Sequence, residues 1–297
     1  MYFITKNKKR KVTATAVAAK CKGIMTVLFS FVFIFSLIFG TFSSRDCLYK
    51  INTVEAQMIR GCDKDYSELL KQPFEKSHVF DLKGAKLFLP NYKVDLIQKT
   101  IYNTKDWWDG DILRRLDKYI PEGANILDLG ANIGNHTIYW ARQNKVNKVI
   151  AFEPVKYTLD ILKKNIALNN LYNKVTICDV GLSDKTSKAV IAKWHEYNIG
   201  GTNIIDTDDG DMEVDKLDNI IYPINLKHID FVKIDIEGHE VMALKGAKRV
   251  FKEYKPKYVY IESFSNHIDQ TKQILKDYGY KLANFPVIAN NYLFEHK

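Results

Sequence analysis

"ILDLGANIGNHTIYWA", residues 126–141, passes from an apolar, strand-like run through Gly130 and Gly134 into a helix-like one. A glycine turn at a strand-to-helix junction lets backbone approach a ligand closely. A dinucleotide-binding turn needs G-x-G-x-x-G, so that two phosphates can settle on the following helix N-terminus. Here the turn reads Gly130-Ala131-Asn132-Ile133-Gly134, with Asn132 where the second glycine belongs. Asp128, at the strand's end, is ill suited to sit beside a phosphate and suits a cation such as a sulfonium or an amino group. The turn argues against a nicotinamide-dependent oxidoreductase.

Outward from this turn, strands and helices alternate. "KVIAFEP" (148–154) leads into the amphipathic "KYTLDILKKNIALNN", and "KVTICDVGL" (174–182) forms a third strand. "IDFVKID" (229–235) precedes a helix over about 239–253, and "KYVYIES" (257–263) precedes another, before the strand-like "YKLANF" and "NNYLFEHK". Near-continuous apolar strands alternating with helices predict an α/β fold with a doubly wound, mostly parallel sheet. Upstream, "HVFDLKGAKLFLP" predicts a hairpin turning at Lys83-Gly84, followed by two helices. In such sheets ligands bind at the carboxyl ends of the strands. Glu153-Pro154 ends the second strand about twenty residues after the glycine turn, where an acid accepts hydrogen bonds from a ribose diol. Asp179-Val180 ends the third, where Asp179 can accept from an adenine amino group. Acids at three successive strand ends beside a glycine turn describe a nucleoside that carries positive charge, S-adenosylmethionine.

The stretches "ILDLGANIGNHTIYWA", "VIAFEP", "CDVGLSD", "DFVKIDIEGHEVMALKGAKRVF" and "PKYVYIES" resemble the FkbM family of S-adenosylmethionine-dependent methyltransferases, over roughly residues 80–297. The resemblance implies a class I methyltransferase (Rossmann-like) fold: a seven-stranded sheet with one antiparallel strand near the C-terminus. It also implies methylation of a hydroxyl on a sugar, glycolipid or other small molecule. The expected cofactor-binding residues are Asp128, Gly130, Ala131, Asn132, Gly134, Glu153, Pro154, Asp179 and Val180.

Methyl transfer is an in-line displacement at an already activated carbon, so a protein supplies proximity and takes the acceptor's proton. Period-2 alternation in "DFVKIDIEGHE" puts Phe231, Lys233 and Asp235 on one face. A lysine inside a central strand needs a partner, and Asp235 or Glu262 is the expected one. Histidine is the side-chain type best matched to a general base near neutral pH, which singles out His239. Asp235, Glu237 and Glu262 are expected to orient it or to hold a divalent cation. A metal-free base is the favoured expectation, because spacing alone places no third hard ligand. His136, inside the first helix turn, is expected to pack or bond locally. A non-catalytic relative that only holds a partner is disfavoured, since a scaffold has no need of acids at four strand ends.

The charge is unevenly spread. The chain has 297 residues and a formal charge of +9. Seven bases and no acid lie in residues 1–44, leaving 37 bases against 35 acids afterwards, so the body is nearly neutral and no nucleic-acid partner is expected. Residues 23–44 carry no charge and would span about 33 Å as a helix. The expected organisation is a basic arm (1–22), a membrane helix (23–44), a stem (45–77) and the methyltransferase domain (78–297). An uncleaved anchor with a cytoplasmic arm is favoured over a cleaved signal, because the arm is long for a signal peptide. Cys21, Cys47, Cys62 and Cys178 show no zinc-type spacing. Residues 183–227 read as irregular, with a solvated acidic loop from Asp206 to Asp215 and Trp194, His195 and Tyr197 as candidates for touching the acceptor.

Overall fold

The computed structural model describes residues 62–63 and 75–297. The expected arm and membrane helix lie outside these residues, and no helix among the described residues is long and apolar enough to cross a membrane.

Near its start the chain forms β1 (Cys62–Asp63), β2 (Val79–Leu82), β3 (Ala85–Phe88), α1 (Leu96–Thr104) and α2 (Gly110–Leu116). Then follow β4 (Ala124–Leu129), α3 (Asn135–Ala141), β5 (Val146–Phe152), α4 (Lys156–Leu168), β6 (Val175–Cys178), β7 (Gly181–Leu182), β8 (Ser187–Lys193), β9 (Asn203–Thr207) and β10 (Met212–Asp215). The last third holds α5 (Leu217–Ile224), β11 (Phe231–Ile234), α6 (Glu240–Gly246), α7 (Lys248–Glu253), β12 (Tyr258–Glu262), α8 (Ile268–Asp277), β13 (Tyr280–Leu282) and β14 (Asn291–His296).

The main sheet has the order β1-β6-β5-β4-β11-β12-β14-β13. Strands β6, β5, β4, β11 and β12 run parallel, while β14 lies antiparallel between β12 and β13. This is the seven-stranded arrangement the resemblance implied, enlarged to eight by β1. Strands β4, β6 and β11 are buried at every position, which is why they read as unbroken apolar runs. Helices cover both faces. Trp140 and Phe231 belong to one apolar layer, and Phe152 and Phe251 to the other. Burial of each such side chain contributes about 1.5–3 kcal/mol.

Two expectations needed correction. Residues 183–227 are not irregular: their strands β8, β9 and β10 join β7 in a second, four-stranded sheet of order β7-β10-β8-β9, and α5 follows. Its strands escaped notice because β8 buries only Ala189, so no alternation of apolar and polar residues marks it. Within the expected stem, Cys62–Asp63 pairs antiparallel with Cys178–Ile177 at the sheet's edge, and Cys62 and Cys178 form a disulfide. The hairpin stands as expected: Leu82 pairs with Ala85 across Lys83 (φ 48°) and Gly84 (φ 81°), the positive-φ pair of a tight turn.

Candidate active site

The glycine turn is built from three left-handed residues, Gly130 (φ 84°), Asn132 (φ 50°) and Gly134 (φ 89°). Asparagine is among the few side chains that tolerate this region, so Asn132 keeps the turn that a second glycine would otherwise make. Gly130 has a further constraint: a Cβ there would sit 1.8 Å from the Asp235 carbonyl oxygen. Only a residue without a side chain lets the ends of β4 and β11 come so near. The Gly130 and Ala131 amides donate to the Phe152 carbonyl, fixing the turn to the end of β5.

Glu153 completes this frame. One carboxylate oxygen accepts from the Asn132 amide at 2.8 Å, the other from the Val155 amide at 3.0 Å and Thr158 Oγ1 at 2.9 Å. Burial pushes its pKa above the ordinary value in spite of these bonds. Glu153 is therefore structural as well as available to a ligand, with room for further bonds on its four lone pairs.

A cavity of about 290 Å³ opens above these strand ends. Of the residues the sequence singled out, Gly130, Asn132, Glu153, Pro154, Val180, Asp235, Glu237, His239 and Glu262 line it. Ala131 and Gly134 are buried behind the turn, where a Cβ on Gly134 would meet Leu162 at 2.6 Å. Asp179 is exposed and lines an adjoining cavity shared with Pro154, Val155 and Val180. Asp128 does not line either cavity. It is fully buried, accepts from Thr137 Oγ1 at 2.5 Å, and lies 3.4 Å from Lys233 Nζ. Its place at the strand's end suggested a ligand contact, but register puts it directly beside Lys233.

Lys233 is the electrostatic centre. Its ammonium donates to the Gly130 carbonyl at 2.6 Å and lies 3.4 Å from both Asp128 and Asp235. Burial disfavours the charge, but the two carboxylates outweigh it and raise the pKa to about 12. Asp235 was an expected partner; Asp128 was not. Burial acts to raise Asp235, yet the Lys233 ammonium holds it below the usual carboxylate range. Glu262, hydrogen-bonded to Asp235, is pushed up to about 9 by burial and by that negative neighbour. Glu237 rises to about 7 by burial and the charges of Asp235 and Glu240. His136 faces the same cavity, stacks on Trp140, and falls to about 4 through burial and the nearby Lys233.

His239 precedes α6 and its ring has a partner the sequence did not suggest. Nε2 lies 3.2 Å from Asp206 Oδ1, so the orienting carboxylate is Asp206 on β9 and not Asp235, Glu237 or Glu262. Asp206 also accepts from Ser183 Oγ at 2.7 Å and is mostly buried, unlike the solvated residue expected. The second sheet braces this loop again where Asn203 Nδ2 donates to the Glu237 carbonyl at 2.7 Å. Glu237 (φ 52°) and Gly238 (φ 101°) turn left-handed, and Glu240 Oε1 accepts from the Gly238 amide.

Trp194, His195 and Tyr197 do not line the main cavity. Trp194 lines the adjoining one and packs edge-on against Tyr157, while Asn198, Ile199, Gly200 and Thr202 reach the main cavity instead. The sequence reading also missed Asp109 and Tyr260. Tyr260 was legible, since it precedes Glu262 by two positions on one strand. Asp109 was not, because it stands at a left-handed φ of 56° before α2, outside any strand end. Asn135-His136-Thr137 has the N-x-Thr pattern of a glycosylation sequon, but it is sealed: Asn135 is buried and bonded both ways to the Trp108 backbone.

Residues 128–282 match the methyltransferase FkbM domain, which is more than half of the chain. The chain belongs to the FkbM methyltransferase family. Methyltransferase sdnD of Sordaria araneosa is 27% identical over 200 residues, covering 55% of this chain and 76% of that protein. The hexuronic acid methyltransferase AglP of Haloferax volcanii is 28% identical over 156 residues, covering 50% of this chain and 62% of that one. A solved methyltransferase FkbM of Methylobacillus flagellatus KT shares 24% identity with a TM-score of 0.43, over 59% of this chain and 44% of its own. This FkbM chain thus spans from under half to about three quarters of these relatives' lengths.

Proposed function

We propose that this FkbM protein transfers the methyl group of S-adenosylmethionine to a hydroxyl group, on a sugar, a glycolipid or another small molecule. The observation that carries this reading is the meeting of two halves in one cavity: the glycine turn with Glu153, and the His239–Asp206 pair beside Asp235, Glu237 and Glu262. The residues fit the donor. Asn132 Oδ1 is buried on the cavity side without a hydrogen-bond partner, an acceptor that a ribose hydroxyl or amino group would satisfy. Gly130, Asn132, Glu153, Pro154 and Val180 would hold the donor, with Asp179 at its outer end. Bound there, it would supply a methyl group activated by sulfonium charge.

The chain's own part is orientation and proton removal. A carboxylate only accepts, so Asp206 fixes the proton of His239 on Nε2 and leaves the lone pair on Nδ1. That nitrogen would take the proton of an acceptor hydroxyl. Asp235, held ionised by Lys233, would stand beside the donor's positive charge.

Titration calorimetry of the full-length protein with S-adenosylmethionine tests the reading, and binding of a nicotinamide cofactor instead would overturn it. Glu153→Ala should weaken donor binding by roughly 1.5–3 kcal/mol, the range for a hydrogen bond to a charged group. It should also destabilise the fold by about 1–3 kcal/mol, because the buried Asn132 and Val155 amides lose their acceptor. Glu153→Gln keeps an acceptor for only one of the two amides, so chemical denaturation of each variant is measured beside its donor affinity. Unchanged donor affinity in a folded Glu153→Ala variant would remove the ribose assignment.

Residues 23–44 are proposed as an uncleaved anchor with the basic arm on the cytoplasmic side. The full-length protein is then expected in the membrane fraction after a salt wash. Its recovery in the soluble fraction with the arm intact would refute the anchor.

A further inference from the structure

We propose that Asp235, Glu237 and Glu262 form a binding site for one divalent cation of the hard, oxygen-preferring kind, Mg²⁺ or Mn²⁺. Each residue offers a carboxylate oxygen, and the three oxygens all lie within 4.8 Å of one another. Ligands on such an ion sit at about 2.0–2.6 Å, so two on opposite sides are about 4–5 Å apart. All three oxygens therefore fit one coordination shell. The donor set is carboxylate only, without sulfur, which selects Mg²⁺, Mn²⁺ or Ca²⁺ over softer metals.

The protein's own bases are engaged elsewhere. Lys233 reaches Asp235, but that ammonium is already shared with Asp128 and the Gly130 carbonyl. Among the described residues, no lysine, arginine or histidine forms an ion pair with Glu237 or Glu262. Asp109 and Glu153 add two more acids to the same cavity wall.

An independent observation comes from Tyr260. It is 5% exposed, its hydroxyl has no hydrogen-bond partner, and it lines the same cavity. It stands two residues before Glu262 on β12, on the same face, and its hydroxyl feels the charges of Asp109, Asp235 and Glu262. A buried hydroxyl left unpaired is unfavourable, so this one is aimed at something the cavity receives. A metal-bound water, or an acceptor oxygen on the metal, is the partner that suits both the tyrosine and the three acids. The ion would hold the acceptor's hydroxyl oxygen and make its proton more acidic, ready for His239. That role rests on the methyl-transfer reading; the binding of the ion does not.

The test uses full-length protein stripped with a chelator and titrated with MnCl₂, followed by the loss of the free Mn²⁺ paramagnetic resonance signal. One Mn²⁺ per chain is expected, displaced by Mg²⁺. Glu237→Gln and Glu262→Gln, each close in shape to the original, should weaken it by roughly tenfold or more. Asp208→Asn with Asp209→Asn, on an exposed turn of the acidic run, should leave it unchanged. Absence of stoichiometric binding, or binding indifferent to Glu237 and Glu262, would overturn the site. Donor binding is measured on the same preparations by calorimetry. Donor binding with no Mn²⁺ site sinks the metal and keeps the methyltransferase reading; a Mn²⁺ site without donor binding does the reverse.

Discussion

His239→Ala is expected to lower methyl-transfer turnover by about two to four powers of ten, the usual contribution of a positioned general base. Affinity for S-adenosylmethionine should stay within about twofold, because the donor's proposed contacts come from the glycine turn and Glu153. The fold should tolerate the change. The imidazole makes no side-chain capping bond to α6, and its mapped polar partner, Asp206, keeps its bond from Ser183. Asp206→Asn is the companion experiment. An amide can present its nitrogen to Nε2 and so reverse the tautomer, which should slow turnover while leaving donor affinity intact. Turnover measured with saturating donor separates these outcomes. A folded His239→Ala protein with near-normal rate would show that the proton leaves by another route, and full loss of activity on chelation would point to the cation as the group that acidifies the hydroxyl.

Lys233→Met should destabilise the protein by about 3–5 kcal/mol, the cost of removing one partner from a buried ion pair. Three groups lose their common partner at once: Asp128, Asp235 and the Gly130 carbonyl. Asp128 carries most of the effect, because its side chain is fully buried, whereas Asp235 is about one-third exposed and partly screened by solvent. Chemical denaturation at neutral pH reads the loss directly. The pH dependence has a definite sign. Lys233 depresses the pKa of Asp235, so this part of the stability is present above the ordinary carboxylate pKa and is lost as pH falls through the depressed value. The deficit of Lys233→Met should therefore be largest near neutral pH and shrink on acidification. Lys233→Met combined with Asp235→Asn should recover part of the loss. A single variant within about 1 kcal/mol of the original protein would mean that the lysine is not what holds β4 and β11 together at this level.

The main sheet was legible because its strands are buried on both faces and so read as unbroken apolar runs between helix patterns. Cavity-lining residues at strand ends were legible for the same reason: a Gly, a Glu-Pro or an Asp that closes such a run stands out. Asp128 shows where this logic stops. Sequence says that an acid ends β4, but only pairing register says that a lysine of β11 lies beside it. Asp206 failed in the opposite sense. Among the acids from 206 to 215 it resembled its solvated neighbours, and only the pairing of β8 with β9 carries it to His239. Three carboxylates from two strand ends converging within one coordination shell is likewise a distance, and spacing along the chain does not encode it.

The disulfide between Cys62 and Cys178 bears on where this domain begins. Strand β6 would otherwise present its backbone donors and acceptors at the sheet's margin, the template for unwanted pairing with another chain. Two residues of β1 occupy that margin, and the covalent link keeps them there across a separation of 116 residues. Family similarity begins at residue 128, and the expected domain at 78, so both boundaries leave this lid behind. A chain shortened to either point would carry an open edge and an unpaired Cys178 one residue before Asp179. A folding unit with this edge covered therefore includes Cys62, and its integrity depends on the redox state of its surroundings as well as on its core.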